Sequence, residues 1–168
     1  MIPCEMCNSE TEIVTNQMHH YVESGLENIY LEGIEMRVCN SCGGKTARIP
    51  RIIELHNTIG QAIALKDSPL TGKEVKFLRK RLGYNLREWA IMLRVVETTL
   101  SKWENGEREI GTQSDLLIRL LYVPIYAERA GKLLDEPVTK RLRLIKAGGS
   151  ANKLIINVAK PIAYRFAA

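Results

Sequence analysis

The stretch Thr98-Thr-Leu-Ser-Lys-Trp-Glu-Asn-Gly106 places one large aromatic residue, Trp103, among polar and charged neighbours. Leu100 precedes the tryptophan by three residues, which is the spacing of one face of a helix. Gly106 follows by three and is typical of a helix end. The pattern predicts a short helix that turns Leu100 and Trp103 into a core and leaves a polar face outside.

Short helices are also predicted on both sides of this stretch. Thr71-Gly-Lys-Glu74 and Asn85-Leu-Arg-Glu88 have the spacing of helix N-terminal capping boxes. Apolar residues follow them at helical intervals: Val75, Leu78 and Leu82, then Trp89, Ala90 and Leu93. Gly83 ends the first of these helices. Two short helices, a tight turn and the small Ala90 at their close approach predict a helix-turn-helix.

Two more helices are expected after Gly106. One runs from Thr112 to Tyr122, and Pro124 then allows another from Ile125 to Leu134. The apolar positions of the first are Leu116, Leu117, Leu120 and Leu121. With the three helices before them, they make a five-helix, all-α domain.

All four cysteines lie near the start, as Cys4-Glu-Met-Cys7 and Cys39-Asn-Ser-Cys42. Two such pairs supply the four sulfurs that zinc prefers in a closed tetrahedral site. We therefore expect one structural zinc ion, without which so short a segment could hardly fold. His19 and His20 are predicted to be solvent-facing or strand residues, because the ligand shell is already full.

Other uses of the cysteines fit less well. Disulfides are rare in a reducing cytoplasm. A redox Cys-x-x-Cys pair normally comes singly, beside a βαβ pattern that this sequence lacks. An iron–sulfur cluster remains open on four cysteines alone. The alternating stretches between the pairs, Thr11–Thr15, His20–Glu23 and Ile34–Val38, predict a small sheet.

Charge is distributed unevenly along the 168 residues, whose net charge is +5. Residues 1–48 carry a net −4, residues 69–110 a net +3, and residues 137–168 seven basic side chains and no acidic one. A basic segment of this kind favours a polyanionic partner, although a solvated face is the plainer alternative. No apolar run reaches the roughly 18 residues of a membrane span, and no export signal opens the chain. We expect a cytoplasmic, nucleoid-associated protein with no membrane partner.

These observations predict an α+β protein of two domains. A zinc-bound, β-rich domain covers residues 1–48, and a helix-turn-helix domain covers 69–136. Residues 49–68 form a connecting helix, with Ile49, Ile52, Ile53, Ile59 and Ile63 as its apolar stripe and Pro50 in its first turn. Residues 137–168 form a basic extension, within which Lys153–Val158 is either a strand or a turn of helix.

The helical segment resembles the Xre (phage Cro/repressor) helix-turn-helix family. The resemblance rests on Leu78-Arg-Lys-Arg-Leu-Gly83, Leu86-Arg-Glu-Trp-Ala90, Leu93-Arg-Val95 and Leu100-Ser-Lys-Trp-Glu-Asn-Gly106. Together with the paired Cys-x-x-Cys motifs, the chain to about residue 134 is similar to the YgiT/MqsA-type antitoxins. Arg94 stands where the turn usually has glycine, Val96 at the usual N-cap, and Leu86 in place of a glutamine that touches DNA.

The resemblance implies that the helix around Trp103 enters the major groove of DNA. Thr98 and Lys102 are then the best candidates for base contact, with Glu97 beside them on the exposed face. Thr99, Ser101, Asn105 and Arg87 are expected to contact phosphates. Arg79 and Glu104 are expected to form the ion pair that ties the first helix of the domain to the third.

The leading functional hypothesis is a homodimeric transcriptional regulator that binds a palindromic operator in double-stranded DNA. The resemblance adds an antitoxin role, in which the zinc domain neutralises a small toxin and the other domain represses the shared operon. The alternative is a stand-alone regulator whose zinc domain binds another protein or senses metal or oxidants. A helix-turn-helix bundle used only for protein contacts is also open. We expect no enzyme, because no nucleophile–base grouping, phosphate-binding loop or open metal site is evident.

Overall fold

The computed structural model describes residues 2–129 and 153–158, and the backbone of 165–166. It has a mixed α+β fold with two compact units. The front unit comprises Met1–Thr58 and Lys153–Ala168, and the helical unit comprises Ile59–Asn152. The predicted helix end at Leu134 and most of the basic extension lie outside the described residues. None of the helices in the described part is long and apolar enough to cross a membrane.

The sheet of the front unit is built around one long strand. Strands β1 (Thr11–His20) and β2 (Ile29–Cys39) pair antiparallel over nearly their full length. On the other side of β2 lie β3 (Lys45–Arg48), which is antiparallel, and β4 (Leu154–Asn157), which is parallel. Strand β5 (Arg165–Phe166) pairs with β4. Ile29, Leu31 and Ile34 of β2 supply fully buried side chains.

A bulge changes which side chains of the sheet face inward. Asn16 of β1 and Gly33 of β2 both have left-handed φ angles, of 59° and 77°. The pairing register shifts between Val14 and Gln17, where β1 has the extra residue, and again between Gln17 and Met18, where β2 has it. An extra residue in a strand moves the following side chains to the opposite face. The buried positions of β2 accordingly change from the odd-numbered Leu31 to the even-numbered Ile34.

Two of the three predicted strand segments lie in strands, and the third is wrong. Thr11–Thr15 is part of β1 and Ile34–Val38 part of β2. The chain leaves β1 after His20, and Val22–Ser24 form a 3-10 turn that ends at Gly25 with φ of 77°. The Ser24 hydroxyl donates to the Tyr21 carbonyl at 2.7 Å, which stabilises this turn over a straight strand. His19 and His20 are strand residues, as predicted.

The segment Lys153–Val158, which the sequence left open between strand and helix, contains β4. The N–H of Leu154 donates to the Asn28 carbonyl, and that of Val158 to the Glu32 carbonyl, both at 2.8 Å. Ile156 is fully buried. Residues from the end of the chain therefore complete the sheet of its beginning.

Helix α1 (Ile52–Leu65) differs from the predicted connecting helix in its start and in its buried face. Ile49 and Pro50 precede it, and Ile52 and Ile53 are exposed. The buried positions are Leu55, Ile59, Ala62 and Ile63. Ile59 and Ile63 of the predicted stripe are therefore confirmed, whereas Ile49, Ile52 and Ile53 do not belong to it; the buried stripe follows from Leu55 at intervals of four, seven and eight.

Helices α2 (Gly72–Arg81) and α3 (Leu86–Met92) confirm the capping boxes. The Glu74 N–H donates to Thr71 Oγ1 at 3.3 Å, and the Thr71 N–H donates to the Glu74 carboxylate at 2.7 Å. Asn85 and Glu88 make the same reciprocal pair at 2.9 and 2.8 Å. Each box satisfies backbone donors that a helix start leaves without partners.

Helix α4 (Glu97–Glu104) has Leu100 and Trp103 buried, as predicted from their spacing. Gly72, in the first turn of α2, lies against the end of α4. A β-carbon at Gly72 would stand 1.9 Å from the Trp103 carbonyl oxygen, so a larger residue there requires the backbone to move. No local pattern predicts this contact, because it joins residues of two different helices.

Helix α5 (Thr112–Arg129) corrects two predictions. It runs through Pro124 without the expected break between two helices. Its buried face holds Asp115, Ile118, Arg119 and Tyr122, whereas Leu116 and Leu120 are exposed. The predicted apolar face of this helix is therefore wrong.

The fully buried Arg119 explains the orientation of α5. Its Nε donates to Asp115 Oδ1 at 2.5 Å, and its two terminal nitrogens donate to the Lys66 and Ser68 carbonyls, each at 2.7 Å. Asp115 also accepts from the Leu70 N–H at 2.5 Å. The pair thus satisfies backbone groups just after α1, which would cost free energy if buried alone.

Candidate metal centre and exposed face of helix α4

Two turns of the same construction carry the four cysteines. In the first, the Asn8 N–H donates to the Cys4 carbonyl at 2.9 Å. In the second, the Gly43 N–H donates to the Cys39 carbonyl at the same distance. The residue after each pair, Asn8 or Gly43, has a left-handed φ, of 59° and 72°, a conformation that asparagine and glycine adopt most readily.

The turns bring the sulfurs together as a single donor set. Cys4 Sγ lies 3.6 Å from Cys42 Sγ, and Cys7 Sγ lies 3.4 Å from Cys39 Sγ. All four sulfurs are within 4.8 Å of one another. Four sulfurs at about 2.3 Å from a tetrahedral zinc ion would be separated by about 3.8 Å. The cysteines present therefore fit one four-coordinate metal ion.

Hydrogen bonds shift the pKa values of Cys4, Cys7 and Cys42 in different directions. Bonds from the Ser9 side chain and backbone lower the pKa of Cys7 to about 6, and the backbone N–H groups of Met6 and Cys7 lower the pKa of Cys4. The Gly44 N–H favours the thiolate of Cys42, but the three neighbouring sulfurs and burial outweigh it and raise the pKa of Cys42 to about 12. Repulsion among like charges opposes four thiolates in one place, so a bound cation would be what holds them all ionised.

The outward side of α4 carries the polar side chains that the sequence singled out. Glu97, Thr98, Lys102 and Asn105 are exposed, whereas Thr99 and Ser101 are half-buried. Arg87 is exposed in the first turn of α3. Hydroxyl, amide and ammonium groups are thus presented together by a helix whose opposite side is packed against the core.

A buried ion pair holds α4 to α2. Arg79 Nε donates to Glu104 Oε1 at 2.6 Å and a terminal nitrogen donates to Glu104 Oε2 at 2.7 Å, with 8% and 6% of the two residues exposed. A third Arg79 nitrogen donates to the Tyr84 carbonyl at 2.9 Å. The bonds to Glu104 raise the pKa of Arg79. This bidentate hydrogen-bonded pair fixes the orientation of α4 relative to α2.

The turn between α3 and α4 contains an unfavourable backbone conformation, and exposed apolar residues lie in this turn and in the last turn of α3. Arg94 has a φ of 55°, which confirms that glycine would fit this position better. Val96 is the N-cap of α4 and makes no side-chain cap bond. Val96 and Ile91 are 66% and 60% exposed. Ile91 was not predicted to be exposed, although it follows the buried Trp89 by two residues and so falls on the far side of α3.

A stacked contact that the sequence did not predict joins the end of α5 to the start of α3 and the residues before it. The Tyr84 and Trp89 rings stack with centroids 5.4 Å apart. The Arg129 guanidinium lies 5.1 Å from the Tyr84 centroid and donates to the Leu82 carbonyl. No local motif indicates this contact, since Arg129 and Leu82 are 47 positions apart.

Compared with known proteins, the chain matches no family model, no curated protein and no solved structure.

Proposed function

We propose that the protein is a DNA-binding transcriptional regulator in which α3 and α4 form a helix-turn-helix of the Xre type. The observation that carries the proposal is the way α4 is held. On its inner side, Leu100, Trp103 and Glu104 are buried. On its outer side, Thr98 and Lys102 are exposed and point away from the core. A short, firmly supported helix with a polar outer side is suited to the major groove of DNA.

In this proposal the residues of α4 divide into two roles. Lys102 donates to guanine O6 or N7, and Thr98 uses its hydroxyl or methyl group on a neighbouring base. Thr99, Ser101, Asn105 and Arg87 contact phosphates and set the register. The net charge of +3 over residues 69–110 supports attraction to the DNA backbone.

The cysteine cluster holds one structural zinc ion in this proposal. Its four sulfurs complete a tetrahedral shell, which leaves no position for water or substrate. The metal then joins the two cysteine turns at one end of the β1–β2 pair, where Thr11 pairs with Cys39. Its contribution is to the fold of the front unit and not to a reaction.

We further propose that the chain is the antitoxin of a toxin–antitoxin pair and represses its own operon. The net charge of −4 over residues 1–48 supports binding of a small basic toxin by the front unit. One observation favours the alternative of a stand-alone regulator. Cys7 and Cys42 are exposed, and accessible metal-binding thiols are suited to sensing oxidants.

Lys102→Ala tests the DNA-reading role of α4. Operator fragments are first selected from random DNA with the full zinc-loaded chain. We expect Lys102→Ala to weaken specific binding about 5- to 150-fold, or about 1–3 kcal/mol, and to relax preference at one base pair. Lys45→Ala is the matched control, because Lys45 is an exposed lysine of β3. Equal weakening on selected and random DNA would assign Lys102 to a phosphate instead.

The antitoxin role is tested by co-expression with the neighbouring reading frame. Co-purification of a small basic ribonuclease, with its toxicity suppressed, is the expected result. A neighbour of unrelated type that does not bind would favour the stand-alone regulator.

A further inference from the structure

The sheet of the front unit is forked along one edge of β2. Strand β4 pairs with this edge over residues 29–32, and β3 pairs with it over residues 35–38. Gly33 and Ile34 lie between these two stretches and belong to neither register. The left-handed φ of 77° at Gly33 bends β2 at this point. The ends of β3 and β4 therefore diverge and leave a gap beside β2.

A cavity of about 410 Å³ lies at this gap. Its apolar lining comes from Ile34 and Val158, which are both buried, and from Pro50. The Val158 N–H donates to the Glu32 carbonyl at 2.8 Å, which fixes the β4 side of the cavity. The volume lies in the lower part of the range of about 300–1,000 Å³ for small-molecule sites. The cavity therefore has the size of a site for one small molecule with bound water.

The rim of the cavity carries two opposite charges. A terminal nitrogen of Arg48 donates to a Glu35 carboxylate oxygen at 3.2 Å, and the two side chains are 63% and 47% exposed. A guanidinium has five N–H donors and a carboxylate has two acceptor oxygens, so both groups retain hydrogen-bonding capacity beside this bond. Thr15 and Asn16 of β1 add a hydroxyl and an amide to the lining.

We propose that this cavity binds a free α-amino acid with an aliphatic side chain. Arg48 binds its carboxylate, Glu35 binds its ammonium group, and its side chain lies against Ile34 and Val158. A ligand with only a carboxylate would be repelled by Glu35, and a ligand with only an amine would be repelled by Arg48. A zwitterion satisfies both charges. The site rests on the geometry of the front unit and does not depend on the proposed function.

The exposed rim and the small ligand set a weak affinity. Ion pairs in contact with solvent each contribute little, and a ligand of amino-acid size has few atoms to bury. We therefore expect a dissociation constant on the order of 1 mM for leucine. Because Val158 follows β4 and Arg48 ends β3, a bound amino acid contacts both branches of the fork. Its binding should therefore stabilise the pairing of β4 with β2.

Titration of the full zinc-loaded chain with leucine, followed through its amide signals in NMR spectra, tests the proposal. We expect saturable shifts that are concentrated at Asn16, Gly33, Ile34 and Val158. Glycine has both charges and no side chain. It should bind at least about 10-fold more weakly than leucine, because it buries no apolar surface in the cavity.

Leucine analogues test the two charges separately. N-acetyl-leucine lacks the ammonium group and leucinamide lacks the carboxylate, so each should bind the wild-type chain about 5-fold more weakly than leucine. Glu35→Gln should lose the preference for leucine over N-acetyl-leucine, and Arg48→Gln the preference for leucine over leucinamide. Lys45→Gln is the matched control and should change neither preference, since Lys45 is an exposed basic residue at the other end of β3. The dispersion of the remaining amide signals checks that each variant is folded.

Three results would overturn the proposal. The first is the absence of saturable shifts with leucine up to about 20 mM, including the case where the chain's own residues fill the cavity. The second is a set of shifts that lies away from the cavity, or glycine binding as tightly as leucine. The third is a pair of variants, Glu35→Gln and Arg48→Gln, that keep the wild-type preferences among leucine and its two analogues.

Discussion

Replacing Arg79 by methionine should destabilise the helical unit by about 3–5 kcal/mol, because it leaves the Glu104 carboxylate buried without its partner. The wild-type pair makes two short hydrogen bonds, at 2.6 and 2.7 Å, and both residues are more than nine-tenths buried. Methionine keeps most of the side-chain volume, so little of the loss comes from a cavity. The third bond, from Arg79 to the Tyr84 carbonyl, would also be lost.

Urea unfolding followed by tryptophan fluorescence measures this loss directly. Both tryptophans of the chain, Trp89 and Trp103, are buried in the helical unit and report on it. Lys80→Met is the matched control, since Lys80 is the next residue of α2 and exposed; it should cost no more than about 1 kcal/mol. The double variant Arg79→Met/Glu104→Leu should recover part of the loss. A cost of Arg79→Met equal to that of Lys80→Met would refute the argument that the pair fixes α4.

Three further outcomes are expected. Gly72→Ala should destabilise the helical unit by about 1–3 kcal/mol in the same urea assay, because the alanine β-carbon would clash with the Trp103 carbonyl oxygen. Unchanged stability would contradict this, since it would mean that α2 can shift away from α4 without cost. Arg94→Gly should stabilise the same unit by about 1 kcal/mol, since the φ of 55° disfavours a side chain; a loss of stability would contradict this reading of the turn. The double variant Cys39→Ser/Cys42→Ser should abolish metal binding, and the amide signals of β1 and β2 should lose their dispersion in NMR spectra. The tryptophan fluorescence of the helical unit should be unchanged. Retention of one metal ion per chain would contradict the four-sulfur site.

The features predicted correctly from the sequence are those fixed by neighbouring residues. Each of the two cysteine pairs, Cys4 with Cys7 and Cys39 with Cys42, is positioned by a turn of a few residues, so the spacing of the cysteines in the sequence predicts it. The capping boxes at Thr71 and Asn85 are equally local, as is the burial of Leu100 and Trp103 on one side of α4.

The features predicted wrongly depend on distant partners. The α5 helix was assigned the wrong inner face because leucine is normally buried, whereas Arg119 is buried here by carbonyl groups more than 50 positions away. Pro124 was expected to break the helix, but tertiary packing overrides such local preferences. The 3-10 turn at Val22–Ser24 replaced a strand because a serine side chain and a left-handed glycine reverse the chain.

The parallel pairing of β4 with β2 has a consequence for the order of events during synthesis. Glu32 and Asn157, which lie side by side in the sheet, are 125 positions apart. A ribosome adding roughly 5–20 residues per second needs several seconds or more to deliver the second after the first. Throughout that interval the Ile29–Glu32 edge of β2 lacks its final neighbour, and an unpaired strand edge readily recruits other strands. A message cut short before codon 153 would leave that edge open for the lifetime of the product.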